Sequence, residues 1–192
     1  MQTHQTLLAR LGQAFENAGI PYMIIGGQAV LVHGEPRLTR HIDVTLGVDA
    51  SNLENVRAVV GNIGLVPAVT DVATFVKSTN VLPVSDRASG VRVDLIFSFT
   101  PYESEAIRRA VGVVFENVTV RFASVEDLIV HKLVAGRPRD AEDVAGILAR
   151  KPSLDEAYLT RWLASFRDIV HRDLVREFDA LRHRSDSAPR IS

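Results

Sequence analysis

Three side chains of this 192-residue chain are typed and spaced for chemistry: His41, Asp43 and Asp94. The first two lie in the run His41-Ile42-Asp43-Val44, the third in Val93-Asp94-Leu95. Strand residues two apart project from the same face, so His41 and Asp43 point together while Ile42 and Val44 face the opposite layer. Residues 91–97 alternate in the same way. Val91, Val93, Leu95 and Phe97 take one face, and Arg92, Asp94 and Ile96 the other. An aspartate within an apolar strand is costly unless it is hydrogen-bonded or binds a metal. Carboxylates joined by an imidazole are competent to hold a divalent ion. Just upstream, the apolar run Tyr22-Met23-Ile24-Ile25 meets Gly26-Gly27 and a short helical segment at residues 28–33. Glycine admits an anion close to the backbone, and a helix N-terminus favours negative charge. Together these features suit a metal-bound polyphosphate.

The elements that must position these groups follow from periodicity. Residues 5–17 place Leu7, Leu8, Leu11, Ala14 and Phe15 at helical spacing, and Gly19 ends the pattern. Residues 49–64 read as a helix capped by Asp49 or Ser51, with Leu53, Val56, Val59, Val60 and Ile63 on its apolar face. Residues 74–84 read as a strand of weak pattern, and residues 85–90 as a turn cluster. A short amphipathic helix is expected over 101–110 and a hairpin over 113–122, with Glu116-Asn117 at its turn. Ser124 is a good N-cap for a helix that carries Leu128, Ile129, Lys132 and Leu133 and ends at Gly136. From Ser153 onward the chain reads as helical. Its arginines, among them Arg172, Arg176 and Arg182, interleave with Asp173, Glu177 and Asp179 as a charged helix face.

The order Gly26-Gly27, short helix, Arg37-x-Thr39-x-His41-x-Asp43 and then Asp94 resembles the DNA polymerase β-type nucleotidyltransferase superfamily. Within it the chain looks most like the minimal and abortive-infection toxin-type members. The resemblance covers residues 18–147 and departs from the family at one place, where His41 stands for the first metal-ligand aspartate. A second stretch carries it as well: Ser124-x-Glu126-Asp127-Leu128, Lys132, and Arg137-x-Arg139-Asp140-x-x-Asp143. The resemblance implies a nucleotidyltransferase fold of the α/β (α+β) class, a mixed twisted sheet flanked by helices. It implies transfer of a nucleoside monophosphate from a nucleoside triphosphate to an acceptor hydroxyl, with Mg²⁺ or Mn²⁺. Asp43, Asp94 and His41 would be the metal and catalytic residues. Gly26, Gly27, Arg37, Thr39, Lys132 and Arg139 would face the nucleotide phosphates. Asp140 and Asp143 read as helix-cap and ion-pair residues. The acceptor would be RNA such as tRNA, a protein or a small molecule, with a cognate toxin or antitoxin as a possible partner chain. His41 leaves three readings open: a non-catalytic binding partner or antitoxin, an enzyme using a different ion, or a disabled variant.

The bulk composition narrows the class. Lys and Arg number 22 against 23 Asp and Glu, a net charge of −1, so no global basic field recruits nucleic acid. There is no cysteine, which excludes disulfides and thiolate metal sites and fits a cytoplasmic location. No apolar run approaches the roughly 20 residues a membrane helix needs. With 46% apolar residues the chain can bury a sizeable core. The expected organisation is a nucleotidyltransferase-fold domain over 1–150, a helical extension over 151–183 and a disordered tail over 184–192.

Overall fold

The computed structural model describes residues 2–35, 39–150 and 152–187. In chain order its elements are α1 (Gln2–Asn17), β1 (Tyr22–Ile25), α2 (Gly26–His33) and β2 (His41–Leu46). After a 3₁₀ turn at Ala50–Asn52 come α3 (Leu53–Asn62), β3 (Leu65–Pro67), α4 (Val72–Thr79) and β4 (Val81–Asp86). There follow β5 (Arg92–Phe97), α5 (Pro101–Arg109), β6 (Val111–Phe115) and β7 (Val118–Phe122). The chain closes with α6 (Val125–Ala135), α7 (Pro138–Ala149), α8 (Glu156–Ser165), α9 (Arg167–Val170) and α10 (Leu174–Ser187).

The seven strands form one mixed sheet in the order β3-β4-β5-β2-β1-β7-β6. Its centre is the parallel pair β2–β5, flanked by antiparallel β1 and β4. The expected alternation is realised there. Ile42, Val44, Leu46, Val93, Leu95 and Phe97 are fully buried on one face, where α1 packs and Phe15 meets Tyr22 at 5.2 Å between ring centroids. The chain divides into two compact units, one made of Met1–Gln28 and Leu38–Ala123, the other of Ala29–Arg37 and Ser124–Ser192. The first contains the whole sheet; in the second, α6, α7, α8 and α10 pack on one another. This division falls at Ala123–Ser124, whereas the sequence suggests a break near residue 150. Lys132 explains the difference: its ammonium ties α6 to α7, and the same helices pack on α8 and α10.

Two local expectations are corrected. Residues 74–79 are helical, not extended. Asp71 accepts a hydrogen bond from the Thr74 N–H, Val72 and Val76 stack one turn apart in the core, and left-handed Asn80 closes the helix. Of the tail expected over 184–192, residues 184–187 continue α10, and residues 188–192 lie outside the described residues. The hairpin is as expected, with Glu116 and Asn117 both at positive φ (47° and 68°), the signature of a tight two-residue connection.

Asp86 at the end of β4 is buried, accepts from the Ser89 N–H and hydroxyl, and pairs with Arg10 of α1 at 3.1 Å. Burial would raise its pKa, but the Ser89 and Arg10 hydrogen bonds and the Arg10 charge outweigh this and hold it below the ordinary 3.8. In the helical unit Asp140 behaves likewise. Burial pushes it up, and hydrogen bonds from Arg137 and Lys132 with the Lys132 charge bring it below 3.8. Carboxyls depressed in the folded state stabilise it above the unfolded pKa, and that contribution disappears as pH falls through the folded values. The chain is therefore expected to lose stability steeply below about pH 4. Asp86→Asn should flatten the dependence of urea midpoint on pH between 5 and 3; an unchanged slope would show that Asp86 does not carry it.

Candidate active site

Each candidate side chain is placed by a local rule of folding. Strands β2 and β5 run parallel in a register that pairs His41 with Arg92 and Asp43 with Asp94. Register partners share a face, so the two carboxylates stand side by side on the sheet face opposite the main core. On the neighbouring strand Ile25 pairs with Asp43, and the chain turns directly out of β1 into Gly26. Asp43 and Asp94 are 19% and 18% exposed, while His41 and Arg92 above them are 49% and 59% exposed. The site is thus a shallow step: acids half-sunk and basic groups at the rim.

Each acid has a basic partner two residues earlier on its own strand. His41 Nε2 lies 3.3 Å from Asp43 Oδ2, and Arg92 Nε donates to Asp94 Oδ1 at 2.9 Å. Thr39 donates its hydroxyl to the His41 carbonyl at 3.1 Å, fixing the entry to β2. Arg37 lies outside the described residues. Arg92 is the residue whose part the sequence concealed. Its position two before Asp94 puts it on the same face, yet alternation alone does not show that it closes an ion pair.

Gly26 is required by geometry. Its φ is +62°, and a Cβ there would fall well inside van der Waals contact of Asp43 Oδ2. Left-handed backbone costs a residue with a side chain about 1–2 kcal/mol, and the clash adds to it. Gly26→Ala is expected to lower stability by about 2 kcal/mol or more and to displace the Asp43 carboxylate. A urea midpoint equal to that of the parent chain would contradict the contact. Two buried polar atoms lie close by in sequence without a hydrogen-bond partner among the described residues. One is Thr45 Oγ1, two positions along β2 from Asp43 on the same face; the other is Gln28 Nε2 in the first turn of α2. Buried polar atoms left unpaired are uncommon and point to a further occupant such as water, ion or ligand.

Of the remaining candidates, Gly27 is buried in the first turn of α2. Lys132 and Arg139 belong to the helical unit, and the two stand differently. Arg139 is exposed on α7. Lys132 is only 4% exposed, and its Nζ donates to Asp140 Oδ1 at 2.8 Å and to Asp143 Oδ2 at 2.6 Å. Asp140 also accepts from the Arg137 N–H at 3.0 Å, closing the N-terminus of α7. The lysine expected to meet phosphate is instead the cation of a buried cluster. At the start of α6 a similar network forms, with Ser124 and Tyr158 donating to Asp127 at 2.7 and 2.6 Å.

The sequence signature of one family, described as nucleotidyltransferase of unknown function (DUF6036), spans residues 6–178. The chain belongs to that family. The search of curated proteins finds no match. Among solved structures, this nucleotidyltransferase-family chain is similar to the antibiotic-resistance factor ANT(2'')-Ia in solution, with 18% identity and a TM-score of 0.55 over 98% of this chain and 100% of that one. A crystal structure of ANT(2'')-Ia in complex with adenylyl-2''-tobramycin gives 17% and 0.51, over 95% and 98%. An antigenic nucleotidyltransferase-like protein from Paracoccidioides brasiliensis gives 19% and 0.53, over 92% of each chain. At such identities the likeness is one of fold, and the nucleotidyltransferase fold is that of this chain.

A divalent ion is the group that such a family implies. The donor set fits it in kind: two carboxylates in register suit magnesium, and an imidazole beside them suits manganese better. The orphaned Thr45 hydroxyl fits an additional occupant. Among the described residues no group of three or more His, Cys, Asp or Glu side chains is arranged to hold a metal ion, so the fit rests on the two carboxylates in register. No helix among them is long and apolar enough to cross a membrane.

Proposed function

We propose that this chain transfers a nucleoside monophosphate from a nucleoside triphosphate to an acceptor hydroxyl, with Asp43 and Asp94 as the working carboxylates. The single observation behind the reading is their pairing in register on adjacent parallel strands, with the Gly26 turn pressed against Asp43. Asp43 and Asp94 would hold a divalent ion, joined by His41 only if its ring turns away from Asp43; when bound, the ion offsets phosphate charge and makes the α-phosphorus a better electrophile. Asp94 would take the proton of the acceptor hydroxyl as its oxygen bonds to the α-phosphorus. The bond from that phosphorus to the bridging oxygen breaks, and pyrophosphate leaves with the electron pair. Gly26, Gly27 and the first turn of α2 would receive the triphosphate through backbone N–H groups. Thr39 would hold the approach to His41. Arg92 must leave Asp94 when that carboxylate is called on, which its exposed position permits at small cost. Arg37 and Arg139 remain phosphate candidates through the family resemblance.

The decisive assay incubates the chain, as it stands and as His41→Asp, with each labelled nucleoside triphosphate and Mg²⁺ or Mn²⁺. RNA, a protein extract and small hydroxylated molecules are supplied as separate acceptors. Label moved to RNA or protein would fit a toxin–antitoxin component with a cognate partner chain. Label moved to a small molecule would parallel ANT(2'')-Ia, seen with adenylyl-2''-tobramycin. Transfer by both versions would make His41 a working ligand; transfer by His41→Asp alone would make it a disabling one. No transfer by either folded version would overturn the reading. It would favour a non-catalytic binding partner, for which the basic groups on both carboxylates speak.

A further inference from the structure

The helical unit contains a basic cavity that the transfer chemistry leaves unused. Helices α6, α7 and α10 line an open cavity of about 290 Å³, with Leu133 and Leu181 as part of an apolar floor. That volume is near the lower end for small-molecule sites, enough for a sugar-sized ligand. Its charge is one-sided. Lys132 is neutralised by Asp140 and Asp143, Arg137 by Asp140, and Arg172 by Glu177. Arg176 and Arg184, which also line it, form no ion pair among the described residues. The Arg184 Nε donates to the Ala180 carbonyl at 3.2 Å, which fixes the side chain along α10 and leaves the terminal nitrogens unassigned.

The wall is prearranged. Arg172 donates to the Leu133 carbonyl at 3.0 Å and to Glu177, and its guanidinium lies directly against Gly136, the left-handed residue that ends α6. A Cβ at Gly136 would collide with that guanidinium, so the glycine makes room for the arginine. Guanidinium groups match phosphate oxygens through paired N–H donors, and an apolar floor suits a ring or sugar.

We propose that this cavity binds a small phosphate monoester, its phosphate on Arg176 and Arg184 and its organic part over Leu133 and Leu181. The test is calorimetry on the full chain without divalent metal, titrating inorganic phosphate, ribose 5-phosphate and adenosine 5′-monophosphate. The parent, Asp43→Asn, Arg176→Glu and Arg184→Glu are compared, with Arg176→Gln and Arg184→Gln as milder variants. At least one monoester should bind about tenfold or more tighter than inorganic phosphate. Its affinity should survive Asp43→Asn and fall at least about tenfold with either charge reversal, with a smaller loss in the glutamine forms. Absence of binding by all three anions would overturn the proposal. So would equal affinity for inorganic phosphate, insensitivity to both charge reversals, or loss of binding in Asp43→Asn, which would place the anion at the sheet carboxylates.

Discussion

Asp43→Asn and Asp94→Asn should each lower metal-dependent label transfer by about a hundredfold or more while leaving the chain folded. The two substitutions preserve shape and remove charge, so they separate chemistry from packing. Asp43 stands at 19% exposure and Asp94 at 18%, and each faces a basic neighbour, His41 or Arg92. Losing one exposed-rim ion pair costs the fold about 1 kcal/mol at most. A ligand to a divalent ion is a different matter, because an amide cannot offset the cation's charge. Transfer within a factor of about three of the parent in either variant would remove that residue from the site.

Lys132→Met should destabilise the chain by about 3–5 kcal/mol, the largest effect on stability expected of a single change here. The reason is the asymmetry of buried ion clusters. Taking away the one ammonium leaves Asp140 and Asp143 facing each other, both nearly inaccessible to water. Neither can ionise beside the other without cost, so both the α7 N-terminus and the α6–α7 contact weaken together. Replacing all three by apolar residues of similar volume should cost far less than the single change, as expected when the penalty is an uncompensated charge. Urea unfolding at pH 7 measures both. A loss below about 1 kcal/mol for Lys132→Met would show that the cluster is open to water and that the lysine is available for another task.

The central strands were legible in the sequence because three signals coincide there. Alternation in residues 91–97, the His41-x-Asp43 step and the Gly26-Gly27 exit from β1 all agree on one sheet face, and the observed register brings Asp43 and Asp94 side by side. What alternation does not carry is what lies across the strand. Gly26 reads as room for a phosphate, and the structure adds a nearer reason, the Asp43 carboxylate against it. Alternation puts Arg92 on the face of Asp94, and only the structure shows the ion pair between them. Helix α4 was obscured by its own composition, since Val72, Thr74, Val76 and Thr79 are β-branched and favour strands. Only Asp71 before it and Asn80 after it mark a helix, and both are weak signals in isolation. Strand β3 is three residues long and ends at Pro67, too short for periodicity to register. The setting of Lys132 is hidden from the sequence for a related reason. Spacing shows that it shares a segment with Asp140 and Asp143, but not that both acids fold back onto its ammonium.

The most direct test of the central claim is equilibrium binding. A nonhydrolysable nucleoside triphosphate would be titrated into the chain by calorimetry with and without Mn²⁺, in the parent and in Asp43→Asn. If the paired carboxylates of β2 and β5 hold a metal-bound triphosphate, binding will be saturable, will require the metal, and will be lost in Asp43→Asn. Binding that ignores the metal or survives Asp43→Asn unchanged would place the nucleotide elsewhere on the chain and contradict the account.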